Sequence, residues 1–407
     1  MNVAVIGAGA AGLTAAYAAA RNGNSVTVFE KNEKSGKKIY ITGKGRCNFT
    51  NCVSPQEFLG NVVNNAKFLT GAVYSFSPER CVGFFEDGGM AVKIERGNRA
   101  FPVSDKASDV TKCLERYCKN VGVTFEFNNE IKDISILNST ISGIITREGF
   151  LPFDKVIVCT GGLSYPSTGS TGDGYKFAER AGHRIISPRQ GLCGLNVIGD
   201  FYKKLQGLTL KNVQLSVYYD GKIKDRLFGE MLFTHFGISG PIVLSVSSLI
   251  NRLDLKRVKL SLDLKPALNF ETLDKRILRD FEENINKTIE NCLKNLLPNA
   301  IIGEILQRSG VPKDKKVNVI TKAERSSLLT NIKCFDIFVS SLRDFSEAII
   351  TSGGVDVSQV NPKTMESKLV KGLFFCGEVL DVDAFTGGFN LQIAFSTGYA
   401  AGNAVSS

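Results

Sequence analysis

The sequence contains no tryptophan, only two histidines among 407 residues, and no pair of cysteines in the spacing Cys-x-x-Cys. With only His183 and His235 available, a histidine-rich metal site has too few ligands, and we expect no bound metal. The ten cysteines are scattered, which in a chain of this size is typical of buried free thiols in a reducing compartment. No stretch approaches the ~18–20 apolar residues of a membrane span. We therefore expect a cytoplasmic protein without a membrane-spanning segment.

The charges show an excess of one sign, because 50 Lys and Arg residues outnumber 40 Asp and Glu residues. The net charge of +10 and the pI near 9.0 indicate an acidic partner such as nucleic acid or an anionic surface. A lysine-rich surface that is merely solvated is the alternative, and the charge alone does not decide between them. At 407 residues the chain exceeds the ~250–300 residues at which single cores stop growing, so we expect more than one domain.

The start of the chain shows the pattern of a strand, a helix and a second strand. Residues 2–6 predict a buried strand, residues 10–22 predict an alanine-rich helix, and residues 26–29 predict a parallel strand. The turn before the helix carries the pattern Gly-x-Gly-x-x-Gly at residues 7–12, and the second strand ends in Glu30. This spacing is that of a βαβ unit that binds a dinucleotide.

The residues of this turn have distinct tasks in a dinucleotide site. Gly7 permits the tight turn, Gly9 lets a pyrophosphate approach the backbone, and Gly12 allows the helix to pack closely on the strand. The helix N-terminus then offers N–H groups and a partial positive charge to the phosphates. Glu30 is placed to accept hydrogen bonds from a ribose 2′-hydroxyl. A glycine-rich turn without a ligand is the alternative.

Two further apolar strands are predicted to end at the same site, each followed by a short segment that contains glycine. Residues 153–159 predict a strand closing on Thr-Gly-Gly, and residues 372–376 predict a strand closing on Gly-Glu. Residues 386–392 then lead into a last helix, predicted over residues 393–404. A dinucleotide fingerprint at one end of the chain that is completed by the other end fits FAD better than NAD. The reason is that FAD spans the whole domain and must also be held at its isoalloxazine end.

Between these two halves the residue pattern changes near Pro188. Residues 193–264 alternate polar with β-branched or aromatic residues, which predicts an antiparallel sheet or barrel. Residues 272–297 place apolar side chains at every fourth position, which predicts one long amphipathic helix. We therefore predict three domains: a dinucleotide-binding domain of residues 1–190 and 351–407, a β-rich insert of residues 191–264 and 332–350, and a helical insert of residues 265–331.

Five sequence blocks together resemble one family of bacterial flavoproteins. The chain is similar over essentially its whole length to the bile-acid reductase and ribosomal-RNA dihydrouridine synthase family, also called aminoacetone-oxidase-like. The blocks that carry the resemblance are residues 7–12 (GAGAAG), 36–51 (GKKIYITGKGRCNFTN), 160–174 (TGGLSYPSTGSTGDG), 232–241 (LFTHFGISGP) and 377–392 (GEVLDVDAFTGGFNLQ). The resemblance implies an α/β fold, a glutathione-reductase-like FAD-binding domain with an inserted β-barrel-like domain and a small helical domain.

The resemblance also implies which residues form the site. Arg46, Cys47 and Asn48 lie in a loop that, by this resemblance, approaches the flavin. The residues predicted to contact the cofactor are Gly7, Gly9, Ala10, Ala11, Gly12, Glu30, Lys31, Lys38, Gly45, Arg46, Cys47, Asn48, Thr160, Gly161, Gly377, Glu378, Gly387, Gly388, Asn390, Leu391 and Gln392.

Reduction of an activated C=C bond needs a proton donor for one carbon and a group that stabilises the developing negative charge. Cys47 is a candidate general acid, because a thiol that is protonated at neutral pH can donate to carbon. A cysteine packed beneath the cofactor is the alternative. The other catalytic candidates are Arg46, Tyr165 and His235, with Asp173 as a further one.

The family includes reductases of conjugated C=C bonds and an amine oxidase, so membership specifies FAD better than it specifies the substrate. We hypothesise an FAD-dependent oxidoreductase that uses NAD(P)H to reduce an activated C=C bond. Uridine in ribosomal RNA is the favoured substrate because of the basic charge balance. No second Gly-x-Gly-x-x-Gly unit is present, so NAD(P)H would visit the flavin transiently. The alternatives are a small-molecule flavoenzyme, either an enone reductase or an amine oxidase, and a non-enzymatic flavin-containing RNA-binding or redox-sensing protein.

Overall fold

The structure, a computed structural model, describes residues 1–406 of the chain. These residues form two compact units. The first comprises Met1–Gly191 and the chain from Asp344 onward, and the second comprises Leu192–Arg343. The second unit is therefore an insertion in the first, which is built from both ends of the chain. The predicted division of the insertion into a β-rich and a helical domain stays a prediction.

The elements follow in chain order. From Met1 to Gly191 the strands are β1 Asn2–Ile6, β2 Ser25–Glu30, β3 Thr50–Asn51, β4 Val62–Asn64, β5 Val92–Glu95, β6 Arg99–Pro102, β7 Thr124–Phe127, β8 Asp133–Leu137, β9 Thr140–Ile145, β10 Phe150–Pro152, β11 Lys155–Val158 and β12 Ile185–Gly191. The helices there are α1 Ala10–Arg21, α2 Lys37–Ile41, α3 Pro55–Leu59, α4 Ala66–Ser75, α5 Pro78–Asp87, α6 Ala107–Asn120 and α7 Asp173–Arg180.

The second unit contains the strands β13 Leu195–Val197, β14 Thr209–Tyr219, β15 Lys222–Phe233, β16 Gly237–Ser239, β17 Val258–Asp263 and β18 Phe335–Leu342. Its helices are α8 Phe201–Lys204, α9 Pro241–Ile250, α10 Phe270–Glu283, α11 Ile289–Leu293, α12 Asn299–Ser309 and α13 Lys322–Lys333. The chain then returns to the first unit with β19 Ile350–Val355, β20 Leu373–Phe375, β21 Asp383–Ala384 and α14 Phe389–Ala404.

Five parallel strands form the central sheet of the first unit, in the order β20-β11-β1-β2-β7. The strands β1, β2 and β11 are almost entirely buried, as expected of parallel strands that are covered on both faces. The predicted strand–helix–strand unit is confirmed, since β1, α1 and β2 match the predicted bounds to within one residue. Because β1 is the middle strand, the carboxyl ends of its neighbours meet beside its glycine turn.

The last helix, α14, packs against the first, α1. A Cβ on Gly398 would lie 2.4 Å from the Ala11 carbonyl oxygen, and one on Gly402 would lie 2.3 Å from that of Ala15. Any larger residue would separate the two helices, so the glycines permit this close approach. The helix begins at Phe389, four residues before the predicted start. The prediction that the two ends of the chain come together is confirmed.

The second unit is built around a closed six-stranded barrel in the order β13-β16-β15-β14-β17-β18. Along β14, Val213, Leu215 and Val217 are buried, whereas Gln214 and Tyr218 are partly exposed. Successive side chains of a strand point to opposite faces, so this alternation separates the barrel interior from its surface. The predicted β-barrel-like fold of the insertion is confirmed.

The single long helix predicted over residues 272–297 is wrong, because the chain forms α10 and α11 with a turn between them. The Asn284 side chain donates a hydrogen bond of 2.7 Å to the Asp280 carbonyl oxygen, which a continuing helix would use for a backbone N–H. Ile285, which the four-residue period placed on the buried side, is 53% exposed. The period misled the prediction because apolar residues resume the same spacing in α11.

His183 is buried in the first unit under conditions that favour the neutral ring. Its Nε2 lies 2.7 Å from the Ser367 Oγ, which already accepts hydrogen bonds from the N–H groups of Leu369 and Val370. The Ser367 hydroxyl is therefore best placed to donate to a neutral imidazole. Burial lowers the pKa of His183 from 6.5 to about 4.

We expect acid to destabilise the folded protein through His183. The unfolded chain takes up this proton near pH 6.5, whereas the folded protein does so only near pH 4, so stability falls as the pH drops through this window. The resulting decrease in the free energy of unfolding is about 3 kcal/mol. In His183→Gln, the decrease in Tm between pH 6.5 and pH 4.5 should be smaller than in the wild type. The control is His235→Gln, which removes the other, exposed histidine. Equal decreases in all three proteins would contradict the prediction.

Candidate dinucleotide-binding site

The carboxyl ends of four parallel strands carry the predicted site residues. Gly7 follows β1, Glu30 ends β2, Thr160 lies just beyond β11, and Glu378 lies just beyond β20. In a parallel sheet these ends share one edge, and β11, β1 and β2 are adjacent there. Ligands of open α/β folds bind at this edge.

The glycine turn after β1 has two crowded positions and one open position. Gly7 has φ +103°, and a Cβ there would lie 2.7 Å from the Cys159 carbonyl oxygen. A Cβ on Gly12 would lie 1.8 Å from the Gly7 carbonyl oxygen, whereas one on Gly9 would have nothing within 4 Å. Gly7 and Gly12 are therefore required by packing, and Gly9 leaves open space for a ligand next to the backbone. The buried Ala10 and Ala11 form the first turn of α1, whose N–H groups adjoin this space.

Glu30 is held in place by the neighbouring backbone. Its Oε2 accepts a hydrogen bond of 2.9 Å from the Ala8 N–H. Its Oε1 accepts from the backbone N–H of Asn32 at 2.9 Å and from the Asn32 side chain at 2.6 Å. A carboxylate offers about four lone-pair positions, so this oriented group can still accept a bond from a hydroxyl.

Lys31 and Asp173, predicted for different roles, contact each other. The Lys31 Nζ lies 2.6 Å from the Asp173 Oδ2 and donates to the Thr171 Oγ1 at 2.6 Å. This ion pair joins the end of β2 to the start of α7. Neither side chain is thus a free charge for a ligand or a substrate.

Lys38 and Glu378 also form an ion pair, in a cluster that completes the site between β11 and β20. The Lys38 Nζ is 2.7 Å from the Glu378 Oε2 and also donates to the Ser164 hydroxyl. The Glu378 Oε1 accepts from the Ser164 hydroxyl at 2.7 Å and from the Thr351 N–H at 2.8 Å. Burial raises the pKa of the Glu378 carboxyl, but the Lys38 charge and these hydrogen bonds outweigh it and hold that pKa below its usual range. The carboxylate is therefore ionised at neutral pH.

Sequence reasoning missed Ser164 and Thr351 in this cluster. Thr351 also accepts hydrogen bonds through its Oγ1 from the N–H groups of Leu163 and Ser164, at 2.8 and 3.0 Å. Ser164 lies within one of the five blocks that carry the family resemblance, and its membership of that block could have indicated it. Thr351 lies in β19 and had no such signal.

The loop that contains Arg46 has an unusual backbone. Gly43, Lys44, Gly45 and Cys47 all have positive φ, between +56° and +85°. The Arg46 guanidinium pairs with the carboxylates of Glu95 and Asp105, the latter at 2.7 Å, and lies 4.4 Å from the centre of the Phe101 ring. Its charge is therefore neutralised by protein groups, and its position holds this strained loop. In the structure Arg46 has the contacts of a positioning residue.

The Cys47 thiol is fully buried in the hydrophobic core of the first unit. Burial raises its pKa to about 12, against a smaller lowering by a hydrogen bond with Thr42. It also lies close enough to Cys81 to contribute to the raised pKa of that thiol. A proton donor must reach its substrate, so these surroundings favour the packing alternative for Cys47.

The loop after Cys47 meets the start of α14. A Cβ on Gly388, where φ is +98°, would lie 2.5 Å from the Thr50 carbonyl oxygen. The Thr50 hydroxyl donates to the Gln392 Oε1 at 2.6 Å, and the Asn51 side chain donates to the Gly387 carbonyl oxygen at 3.0 Å. The two ends of the chain therefore form one continuous wall of the site.

The Gln392 and Asn390 side chains are engaged within the protein. The Gln392 amide donates to the Phe76 carbonyl oxygen at 2.8 Å, in addition to its bond with Thr50. Asn390 bonds both the N–H and the carbonyl oxygen of Ala384, at 2.9 and 2.8 Å. Leu391 is partly exposed between them. These two polar side chains shape the wall. Because both bond within the protein, the groups that remain to bind a ligand are those of the wall's backbone.

Two glycines that follow β11 and β20 occupy crowded positions with positive φ. Gly377 has φ +76°, and a Cβ there would lie 2.8 Å from the Ala11 Cβ. Gly161 has φ +71°, and a Cβ there would lie 2.9 Å from the Ser170 Oγ. Gly377 therefore lets the backbone after β20 approach the first turn of α1, whereas Gly161 leaves room for the Ser170 side chain.

Several buried oxygen atoms in this region have no hydrogen-bond partner among the described residues. Among them are the Asn48 Oδ1, the Asn51 Oδ1, the Thr160 Oγ1 and the Tyr175 Oη. An unsatisfied buried polar group costs roughly 1–3 kcal/mol, so these atoms call for a partner. The ribose hydroxyls, phosphates and ring N–H of a flavin dinucleotide offer such partners, and the open space at Gly9 offers the room. The residues present therefore fit the predicted FAD.

The remaining catalytic candidates lie in different units. Tyr165, in the first unit, is partly exposed, has φ +51°, and donates its backbone N–H to the Phe345 carbonyl oxygen at 3.0 Å. His235, in the second unit, is exposed in the turn between β15 and β16, with its ring 5.1 Å from that of Phe236. Within residues 1–406 no group of three or more His, Cys, Asp or Glu side chains is arranged to hold a metal ion. No helix in this described range is long and apolar enough to cross a membrane.

Comparison with known proteins agrees with this geometry. The sequence profile described as HI0933-like protein Rossmann domain matches residues 1–404. The chain is 31% identical to the ribosomal RNA dihydrouridine synthase of Haemophilus influenzae, over 99% of this chain and 98% of that protein. It is 30% identical to the protein of the same name from Escherichia coli, over 97% and 96% of the two chains.

A third relative and a solved structure have different names. The chain is 30% identical to the 3-dehydro-bile acid delta(4,6)-reductase of Clostridium scindens, over 99% of this chain and 98% of that protein. Among solved structures, the 3-ketosteroid-delta4-(5alpha)-dehydrogenase of Rhodococcus jostii has a TM-score of 0.55 at 14% identity, covering all of this chain and 96% of that one. At this identity the structural likeness supports the fold alone.

The fold and the site define the class of FAD-dependent oxidoreductases, and the protein is an enzyme of that class. Within this class the chain belongs to the HI0933-like Rossmann family. The family suspected from the five sequence blocks is thereby confirmed.

Proposed function

We propose that the protein uses NAD(P)H to saturate the activated C=C bond of uracil in ribosomal RNA. In the overall reaction NAD(P)H loses a hydride and becomes NAD(P)⁺, and the C=C bond gains that hydride at one carbon and a proton at the other. The observation that carries the proposal is the likeness, over nearly the whole chain, to two proteins named ribosomal RNA dihydrouridine synthase. The net charge of +10 supports a polyanionic substrate.

The proposal assigns FAD to the edge of the central sheet. The turn at Gly9 and the first turn of α1 would hold its pyrophosphate, and Glu30 its ribose. Asn48 and Thr160 would hydrogen-bond its remaining polar groups through their unpartnered oxygens. When bound, FAD supplies the hydride-transfer chemistry, and the protein supplies binding and orientation. NAD(P)H would bind only transiently, because the sequence has no second dinucleotide fingerprint.

Tyr165 is the proposed proton donor. Burial is the main reason that its phenol pKa is raised, so the hydroxyl stays protonated at neutral pH. Unlike Cys47, its side chain is only partly buried and can reach a substrate. We assign Cys47 to packing beneath the loop and Arg46 to holding that loop in position.

Substitution of these two residues should separate their roles. Tyr165→Phe should lower the rate of C=C reduction by about 10²–10⁴-fold, the usual contribution of a general acid, without changing flavin reduction by NADPH. Cys47→Ala should keep both rates within about threefold, because it removes a packed thiol and no proton donor. Stopped-flow absorbance of the flavin measures the two half-reactions separately. A large loss in Cys47→Ala with normal turnover in Tyr165→Phe would reverse the assignment.

The likeness to the bile-acid reductase favours a second candidate function, the reduction of a small conjugated ketone. That relative matches this chain to the same extent as the two RNA-modifying ones. Both reactions add a hydride and a proton across an activated C=C bond. The substrate, and not the chemistry, distinguishes them.

The decisive experiment offers both substrates to the flavin-loaded protein. Ribosomal RNA transcribed in vitro, or a conjugated steroid ketone, is incubated with NADPH, and reactions without NADPH are the control. We expect digested RNA to contain dihydrouridine, heavier than uridine by two hydrogen atoms, at a rate that falls with added salt. Turnover of the ketone with unmodified RNA would establish the second candidate instead. Oxygen consumption with peroxide release on an amino ketone, and no reduction of either substrate, would contradict both.

A further inference from the structure

The excess of positive charge is concentrated in the inserted unit. Leu192–Arg343 contains 24 Lys and Arg against 16 Asp and Glu, a net charge of +8. The rest of the chain contains 26 against 24, a net charge of only +2. The attraction for a polyanion predicted from the whole sequence is therefore a property of the barrel and its helices.

The outer surface of the barrel carries a row of large side chains across four neighbouring strands. Tyr218 on β14 is paired with Ile223 on β15 and with Lys259 on β17, and Lys259 is paired with Phe338 on β18. Ile223 is 43% and Phe338 49% exposed. Residues paired in this way point to the same side of a sheet, so the row forms one continuous strip.

A third aromatic residue and several cations continue this outer surface beyond the row. Along β15, Arg226 and Phe228 share the outward side, since their partners Ser216 and Gln214 alternate with the apolar side chains that β14 turns into the barrel. Phe228 is 63% exposed. At the tip of the sheet the hairpin between β14 and β15 adds the exposed Lys222 and Lys224, which lie on the Tyr219 side of the strands and flank the row at its edge. We name these residues the aromatic–basic face: Tyr218, Lys222, Lys224, Arg226, Phe228 and Phe338.

The cations of this face are available to a ligand. In the described residues Lys222, Lys224 and Arg226 form no ion pair, whereas the nearby Arg257 and Lys259 pair with aspartates. The Lys259 ammonium lies 5.0 Å from the centre of the Tyr218 ring, so cation and ring alternate along the row. Exposed apolar side chains on one face that are bordered by charged residues are typical of an interaction surface.

We propose that the aromatic–basic face binds a single-stranded segment of the substrate RNA. Bases would stack on Phe228, Phe338 and Tyr218, and phosphates would contact Lys222, Lys224 and Arg226. Surfaces that bind single strands combine a positive groove with exposed rings in this way. The net charge of the unit favours a polyanion over another copy of the same basic chain. This inference rests on the proposed function, and it assigns the recognition of RNA to the barrel.

Fluorescence anisotropy with a labelled single-stranded oligouridine of about 16 nucleotides tests the proposal on the flavin-loaded protein. Removing three cations, in Lys222→Ala/Lys224→Ala/Arg226→Ala, should reduce the slope of log affinity against log salt by about 2. Phe228→Ala/Phe338→Ala should weaken binding by about tenfold or more at constant salt. Both variants should retain wild-type flavin content and wild-type flavin reduction by NADPH.

Matched controls come from the first unit. Lys67→Ala/Lys112→Ala/Lys119→Ala removes three exposed lysines there, and Tyr74→Ala/Phe150→Ala removes two exposed rings. Both controls should bind the oligonucleotide like the wild type. If face and control variants weaken binding equally, or if only the face variants lose self-association, the proposal is overturned.

The same proteins are assayed for dihydrouridine formation in transcribed ribosomal RNA, which separates this inference from the proposed function. If the wild type and the face variants modify RNA with equal efficiency, the inference fails and the proposed function stands. If the wild type binds the oligonucleotide through this face but forms no dihydrouridine, the inference stands as RNA binding and the proposed function fails. If the wild type does not bind the oligonucleotide, the inference fails whatever the outcome of the assay.

Discussion

A methyl group at position 12 should disrupt the fold of the dinucleotide site, whereas a methyl group at position 9 should weaken only the binding of the dinucleotide. In Gly12→Ala the new Cβ would lie 1.8 Å from the Gly7 carbonyl oxygen, so α1 must shift away from β1. We expect a destabilisation of about 3 kcal/mol or more, the upper range for overpacked sites. In Gly9→Ala the Cβ meets no protein atom within 4 Å, and the change in stability should stay within about 1 kcal/mol.

The flavin content distinguishes these two variants. If the space at Gly9 belongs to a phosphate, Gly9→Ala should weaken FAD binding by about 10–100-fold, the loss of one charge-assisted hydrogen bond. Urea unfolding of the flavin-free proteins and titration with FAD measure the two effects. Gly303→Ala, in α12 and also without neighbours within 4 Å, is the control and should bind FAD normally. Undiminished FAD binding by Gly9→Ala would refute the placement of the pyrophosphate.

Lys38→Met should destabilise the protein more than the double substitution Lys38→Met/Glu378→Gln does. The single substitution leaves the largely buried Glu378 carboxylate without its cation, which destabilises the folded protein. In the double variant a neutral amide replaces the carboxylate, so no unpaired charge remains. Because each side chain is about one-fifth exposed, we expect a difference of about 1–3 kcal/mol between the two variants. Urea unfolding of the flavin-free wild type, both single variants and the double variant completes a double-mutant cycle.

The stability that the Lys38–Glu378 ion pair contributes should decrease as the pH falls. The Glu378 carboxyl has a lowered pKa in the folded wild type, so its contribution to stability is present above its unfolded pKa of 4.5 and is lost as the pH falls. In Lys38→Met only burial and hydrogen bonds act on the Glu378 carboxyl. The difference in the free energy of unfolding between this variant and the wild type should therefore become smaller below pH 4.5. A gap that is constant from pH 7 to pH 4, or equal stability of Lys38→Met and the double variant, would show that the pair is not coupled.

Local sequence was sufficient for the parts of the fold that depend on short-range periodicity. The apolar run of β1, the glycine spacing of the turn and the alanine-rich α1 specify the start of the dinucleotide site, and all three lie where they were predicted. The alternation in β14 likewise predicted the barrel surface, because the side-chain direction of a strand repeats every two residues. The same reasoning failed for α10, where a periodic apolar pattern continued across a turn that one asparagine side chain stabilises.

The partners of the charged site residues depended on the tertiary structure. Arg46 was predicted to act at the flavin, but β5 and the start of α6 bring Glu95 and Asp105 to its guanidinium. Lys38 meets Glu378, 340 residues further along the chain, only because the fold brings α2 to the end of β20. A residue type and its spacing state which chemistry is possible at a position. Which charge is neutralised and which remains available for a ligand follows from long-range packing, since Coulomb attraction and hydrogen bonding act across space and not along the sequence.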